Sequence, residues 1–581
     1  MLYNAFILNV GALMSKSGSN LITNILKEAQ AYSSMDIIES YIEKGEDLSN
    51  LPVQPLYTAI KSLSTDLVAS SLSKFSPKQR QVFLDLDLWK KDDLDPNSFS
   101  YWIDVYSKCN DDKIKSEFLN STEFALFLKG RMSIWTFDSE DPQYPDHDFY
   151  FLTEDNLLLF EFEEDYPYIG EVKQFVADLY TEHGVEGAYQ YIFKIVSEGF
   201  LNMQEEEYRF KKHRLNDFGF VDYYDALELC NPFPSLSHIN FFISKKEAHT
   251  PNIDREAQNQ CLDNNALIAF KDRVDELSEE LSKVNSQERL SYLQFNFTRL
   301  INSSLTVEDA LKDGALAMTR IGKKTLAYMK LGFSYILENT KDNSQNIFAD
   351  EGVFSAFDFV EIYNIGHSLI LFEQKRIKKA MAQNGFNAEN DTFLGEVIGT
   401  ILDESFNEPV QFISNKIDNT KNTVDSFEEL LNLQNDISLI GGILPFARGF
   451  FTTFKELEES NKLMDEYYLN FTVADIDFEA LLLSTFVNFS NGVKLDGDSG
   501  KIGLLVSELK KFSLETMSNQ GTLESKIKEF TQSFGLSSVH KVEDYLQTLV
   551  QFHLSGYDIT HLTEEEFRHV GGPLLLNIGS N

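Results

Sequence analysis

Cysteine and tryptophan are both scarce in this chain, with three of each among 581 residues. Cys109, Cys230 and Cys261 are odd in number and far apart. They offer neither a disulfide framework nor metal-ligand spacing, so a reducing, cytoplasmic setting is expected. Positive charge is short as well: 51 basic residues face 91 acidic ones, a formal net charge of −40. Such a field repels phosphate backbones and anionic lipid surfaces, which sets nucleic acid aside, and it attracts basic protein surfaces or a divalent cation. No apolar run approaches the roughly 18 residues of a membrane span. The nearest, "SLIGGILPFARGFF" (438–451), is interrupted by Arg448. The opening "MLYNAFILNVGALM" has no basic segment ahead of it. It reads as a buried N-terminal element or as an upstream start ahead of Met14, not as a signal peptide.

Catalytic motifs are missing too. "HRLNDFGF" shares letters with a kinase, but Leu215 follows His213-Arg214 where an aspartate is needed, and no glycine-rich loop lies upstream. "GKKT" (322–325) lacks the glycine spacing of a phosphate loop. "KLDGDSGKIG" (494–503) begins like a calcium loop, yet Lys501 and Ser507 stand where its glycine and glutamate belong. His553, His561 and His569 are eight residues apart, not the four that put two ligands on one helix face. "THLTEEEF" reads instead as a capping box from Thr563 to Glu566. Asp85, Asp87, Asp92, Asp93 and Asp95 in "FLDLDLWKKDDLD" are expected to be helix ends and caps with solvated charge. No catalytic, cofactor or metal residue is assigned.

What the chain does have is apolar mass: 43% hydrophobic residues and 48 phenylalanines, enough for several cores. Residues 50 to 95 read as short helices, with Pro52 in a first turn, Ser64 capping "TDLVASSL" and Ser76-Pro77 starting "KQRQVFLDL". Helices this short must stack on one another. This ladder resembles the superhelical helical domains of magnesium transporters and flagellar switch proteins. "MSIWTF", "DFYFLT" and "LLLFEFEE" are strand-like, the last two joined by a turn at Glu154-Asp155-Asn156. Tyr189, Ile192, Phe193, Val196, Phe200 and Met203 recur at helical steps and predict one buried face. The three prolines of 232–260 suggest a linker. Leu267 to Val284 predicts a bundle helix, and the remainder reads as helices broken at "GF" and "GG".

The densest stretch is "EEEYRFKKHRLNDFGFVDYYDALE" (205–228). Glu205 precedes Arg209 and Glu207 precedes Lys211 by four, the favourable order for helix pairs. Asn216, Asp217 and Gly219 supply turn chemistry after Arg214, and Asp222 can cap a second helix. Phe218, Phe220 and Tyr224 are expected to fill the corner. The reading is a structural helix–turn–helix joint. This stretch, with "SPKQRQVFLDLDLWKKDDLD" and "LGFSYILEN", resembles the signature of a bacterial family of unknown function, which implies a mainly helical fold and carries no activity.

The expected fold is mainly α, a multi-helix superhelical or bundle architecture with one small β-hairpin insertion. Its segments are a short-helix region (1–130), the hairpin (131–163), the joint region (164–231), a linker (232–260) and a C-terminal helical region (261–581). Function is read first as a cytoplasmic interaction or scaffold protein with protein partners. A divalent-cation-responsive regulator is the alternative, and an enzyme without a recognisable motif is third.

Overall fold

The computed structural model describes residues 40–247 apart from 50, 52 and 165, then 276–340, 352–415, 420–459, 476–493, 506–555 and 558–561. The fold is mainly α, 70% helical with a few small sheets. Two compact units divide the chain. One comprises Met1–Asn231, Lys245–Leu326 and Ser344–Glu361, and the other Pro232–Ser244, Ala327–Asn343 and Ile362–Asn581.

The first unit opens with short helices at Val53–Ser62, Thr65–Ser71, Pro77–Asp87, Pro96–Ser107, Asp112–Leu119 and Thr122–Arg131. Start signals explain several of them. Ser76 and Gln79 form a full capping box ahead of Pro77, and Asp95, Asp111 and Ser121 each accept from a first-turn amide. Ser64 has the extended backbone of a cap, but its side chain makes no capping bond. Aromatic rings fill the space between the helices: Tyr106 stacks on Phe118 at 4.1 Å, Phe99 on Phe127 at 4.7 Å, and Phe118 and Phe124 both meet Phe175. The three predicted strand segments form one antiparallel sheet, Ser133–Thr136 pairing with Leu158–Glu161 and the latter with Tyr150–Leu152. It is a three-stranded sheet where a hairpin was expected. Two-residue strands also pair at Trp89–Lys90 and Asp93–Leu94.

In the second unit the expected glycine breaks divide: Gly385-Phe386 ends Phe359–Gln383, with Gly385 at φ 77°, whereas Gly332, Gly441, Gly442 and Gly449 sit inside helices. Gly332 and Gly366 mark a close crossing of Ala315–Thr340 and Phe359–Gln383: a Cβ on Gly332 would lie 2.0 Å from the Ile362 carbonyl oxygen, and one on Gly366 1.9 Å from that of Tyr328. Only glycine lets two helix backbones approach this closely. Gly441-Gly442 lies within Phe427–Glu459. That 33-residue helix also absorbs the stretch 438–451, and by length and composition alone it could cross a membrane. Here Leu430, Leu433, Ile437, Ile440, Ile443 and Leu444 are buried, and Phe446 packs edge-on against Phe478 and Phe534. Part of the expected linker is the helix Leu236–Lys245. An unpredicted hairpin pairs Gln411–Asn415 with Thr420–Thr423, and Phe478–Ser490, Gln520–Ser533 and Val542–Leu554 complete the described helices of the core. The calcium-like stretch 494–503, His569, the Thr563 capping box and residues 267–275 of the predicted bundle helix lie outside the described residues.

Candidate functional site

The helix Phe200–Asp217 carries most of the signature, and its two faces differ. Met203, Glu207, Lys211 and Leu215 recur every four residues and are all buried. Two charges on a buried stripe require partners. The expected Glu207–Lys211 pair is not what forms. Glu207 accepts from Arg214 Nη2 at 2.5 Å, while Lys211 lies 3.8 Å from Asp222. One turn further along, Arg214 reaches a geometry that Lys211 cannot, because its planar fork serves several carboxylates at once.

Arg214 is the centre of the site. Nε and Nη2 donate to Asp85 at 2.8 and 2.6 Å, and Nη2 also reaches Glu123 at 3.2 Å. Gln81 donates to Glu123 at 2.6 Å. Asp85 and Asp87, expected as solvated caps, are therefore buried and paired. Asp87 is held by Tyr57, Trp102 and Lys61 at 2.9, 2.8 and 3.0 Å. Burial pushes Glu123 up to about 8, helped by the charges of Glu207 and Asp85 and opposed by Arg214. Burial raises Asp85 as well, against the pull of Arg214. The carboxylates of Asp85, Glu123 and Glu207 offer oxygens all within 4.8 Å of one another, a set that suits a hard cation. Arg214 already supplies positive charge to all three.

The turn after this helix is built from the signature letters. The helix ends at Asp217, Gly219 takes φ 77°, and Phe220 N–H returns to the Leu215 carbonyl at 3.0 Å. Asn302 donates to the Gly219 carbonyl. Asp222 caps Tyr223–Leu229 and accepts from Tyr208 Oη at 2.5 Å. Phe220 is buried, but Phe218 and Tyr224 are exposed, at 39% and 49%. The corner holds one ring, not three, and Tyr224 instead donates to Asp92 at 3.2 Å. Asp217 is exposed, and Glu205 pairs with Arg209 on the outer face.

Beside the joint lies a cavity of about 240 Å³ whose lining includes Asp85, Trp89, Lys211, Phe220, Asp222 and Lys312. Lys211 sits 5.2 and 4.9 Å from the ring centres of Trp89 and Tyr208 and donates to the Lys91 carbonyl at 3.2 Å. Burial pushes it down to about 8, with Asp222 pulling the other way. Sequence reasoning missed Trp89, Glu123 and Lys211 as members of this site. For Lys211 the available signal was a run of charges at four-residue steps with no room for all of them on an exposed face.

Apolar side chains are also exposed on the helix Phe200–Asp217 and on the one before it. The face predicted to be buried over 189–203 is only half so. Ile192 and Met203 are buried, whereas Phe193 (48%) and Val196 (39%) are exposed, as are Leu201 (76%) and Phe210 (53%). Tyr189 and Phe193 stack at 6.0 Å, and Phe210 shares a hollow of about 330 Å³ with Lys194, Ile195, Glu198 and Glu206.

Fold and site together define a mainly helical protein that buries a carboxylate–guanidinium cluster under one helix and leaves several large apolar side chains of that helix and the preceding one exposed. The particular family follows from comparison: the chain belongs to the Family of unknown function (DUF6178), which matches residues 17–570. Neither a curated protein nor a solved structure matches it.

Proposed function

We propose that this chain is a protein-interaction or scaffold protein, and that its docking surface is the strip formed by Phe193, Val196, Leu201 and Phe210. The observation that carries this reading is the exposure of four large apolar side chains, two of which, Phe193 and Val196, stand at positions whose helical spacing calls for burial. Single exposed apolar residues are ordinary, but several on two consecutive helices, with Phe210 at a hollow, are a mark of recognition. Glu186, Glu198, Glu205 and Glu206 are exposed around it, in a chain of net charge −40. The fitting partner is a basic amphipathic helix that lays its apolar face on the strip. Free, buried Cys109 and Cys230 agree with a cytoplasmic setting. The test is affinity capture of the tagged protein beside its Phe193→Asp/Leu201→Asp variant, both checked for an unchanged melting temperature. A stoichiometric partner with a basic helix, lost with the variant, supports the reading. Recovery of the parent protein alone, or equal capture by both, removes it.

A further inference from the structure

The cavity at the joint has a property that the buried cluster lacks. Trp89 and Asp222 are 4% and 5% exposed and both line it, yet Trp89 Nε1 makes no hydrogen bond and Asp222 Oδ1 has only the Lys211 ammonium, 3.8 Å away and beyond hydrogen-bond reach. Buried polar atoms are almost always satisfied, and an unmatched donor and acceptor on one cavity call for a molecule that offers one of each. Trp102 in the same unit shows the usual situation, with its indole N–H given to Asp87.

Charge narrows the chemistry. The ionisable lining consists of Lys90, Lys91, Lys211 and Lys312 against Asp85, Asp222 and Asp309, an excess of one positive charge in a chain of −40. Asp85 is already engaged by Arg214. Lys211 and Lys312 each give one N–H to a backbone carbonyl, those of Lys91 and Trp89, and an ammonium has two more to give. The cavity is thus richer in donors than in acceptors, which suits an anionic group. Asp222 Oδ1 is the exception and asks for a hydroxyl or an amine.

Size narrows it again. A hollow of about 240 Å³ lies below the usual range of drug-sized pockets, which suits a small acid better than a nucleotide or a peptide. Leu215, Phe220 and Leu305 supply apolar wall for a short side chain.

We propose that this cavity is a binding site for a small hydroxy- or amino-carboxylic acid, whose carboxylate takes the Trp89 indole N–H and the lysine ammonium groups while its hydroxyl or amine donates to Asp222. The site is separate from the apolar strip and stands whether or not that strip docks a partner.

The experiment is a thermal-shift panel on the full chain with millimolar free amino acids and the matching hydroxy acids. The amines and alcohols without the carboxylate, the acids without hydroxyl or amine, and inorganic phosphate serve as controls. Titration calorimetry follows on the strongest compound. Binding of one equivalent is expected for at least one acid, with about tenfold weaker binding for each control that lacks one hydrogen-bonding group. Trp89→Phe keeps a ring in place and removes only the indole N–H side, and Lys312→Met removes one cation. Each is expected to weaken binding about tenfold, Lys312→Met at an unchanged melting temperature and Trp89→Phe at a lower one because part of a buried ring system is lost. No shift with any acid, an equal shift with phosphate, or an affinity untouched by both substitutions overturns the proposal.

Discussion

Each unit holds a buried carboxylate site, with Asp85, Glu123 and Glu207 in the first and Glu479 in the second, and these two sites are built by opposite means. In the first, Asp85, Glu123 and Glu207 share a single guanidinium. In the second, Glu479 shares no full counter-charge: it accepts from the Val397 and Ile398 amides at 3.1 Å each and from Tyr545 Oη at 3.0 Å, with His553 Nε2 3.7 Å away. Those amides open the helix Glu396–Phe406, whose N-terminus favours an anion. Gly395 makes the approach possible, since a Cβ there would lie 2.4 Å from Glu479 Cγ. The difference is one of concentration. Three acids depend on one residue in the first unit, and one acid is spread over several neutral donors in the second. The first arrangement fails all at once and the second by degrees.

The sharpest break in that comparison is Arg214→Met. It leaves three buried acids without their cation and is expected to cost about 3–5 kcal/mol, as for other buried pairs that lose one partner. Glu479→Gln keeps an oxygen for some of its donors and leaves roughly one amide unmatched, an expected cost of about 1–3 kcal/mol. All three tryptophans, Trp89, Trp102 and Trp135, lie in the first unit, so urea unfolding followed by their fluorescence reads the Arg214 variant. Faster hydrogen exchange at the Val397 and Ile398 amides reads the other. Equal losses in the two variants would erase the distinction drawn between the units.

A smaller effect separates the units along the pH axis. Burial holds Glu123 at about 8 against an ordinary 4.5, so the folded chain keeps a proton that the unfolded chain has released. That contribution is complete below about pH 4.5 and is lost as pH rises towards 8, with a slope of at most about 1.4 kcal/mol per pH unit. In the second unit burial raises Asp477 only to about 6 from 3.8, so its loss falls in the lower and narrower window between those values. Stability measured against pH for Glu123→Gln and Asp477→Asn, each minus the parent, should show two windows displaced from each other. Coincident windows would mean that burial in the two units is electrostatically alike.

The helices of this fold were legible wherever local chemistry decides them. Ser76-Pro77-Gln79 and Asp222 announce their caps within four residues, and the aromatic alternation of 131–163 announces its strands. What escaped was decided by contacts between distant positions. Asp85 looked like a solvated cap because its partner lies 129 residues away. Glu123 gave no signal because a glutamate at a helix start usually faces water. Gly332 read as a break, since close backbone approach and a helix stop use the same letter. Phe193 and Val196 show the reverse case, a periodicity that promised burial at positions that are exposed among the described residues.

The smallest expected effects lie in the joint that carries Arg214 towards its acids. Gly219 has φ 77°, in the left-handed region that a side chain disfavours, so Gly219→Ala should cost about 1 kcal/mol. Asp217, exposed at the helix end two residues before it, should tolerate Asn within about 0.5 kcal/mol in either direction. The same tryptophan-monitored unfolding curves decide both. The pair tests whether the joint is a matter of backbone shape alone. If Gly219→Ala unfolds at the parental midpoint, the left-handed turn is not what holds Arg214 in register. If Asp217→Asn is stabilised well beyond half a kilocalorie, the parent holds that carboxylate at some cost, as functional groups often are held, and Asp217 then joins the cavity residues as a group retained for binding.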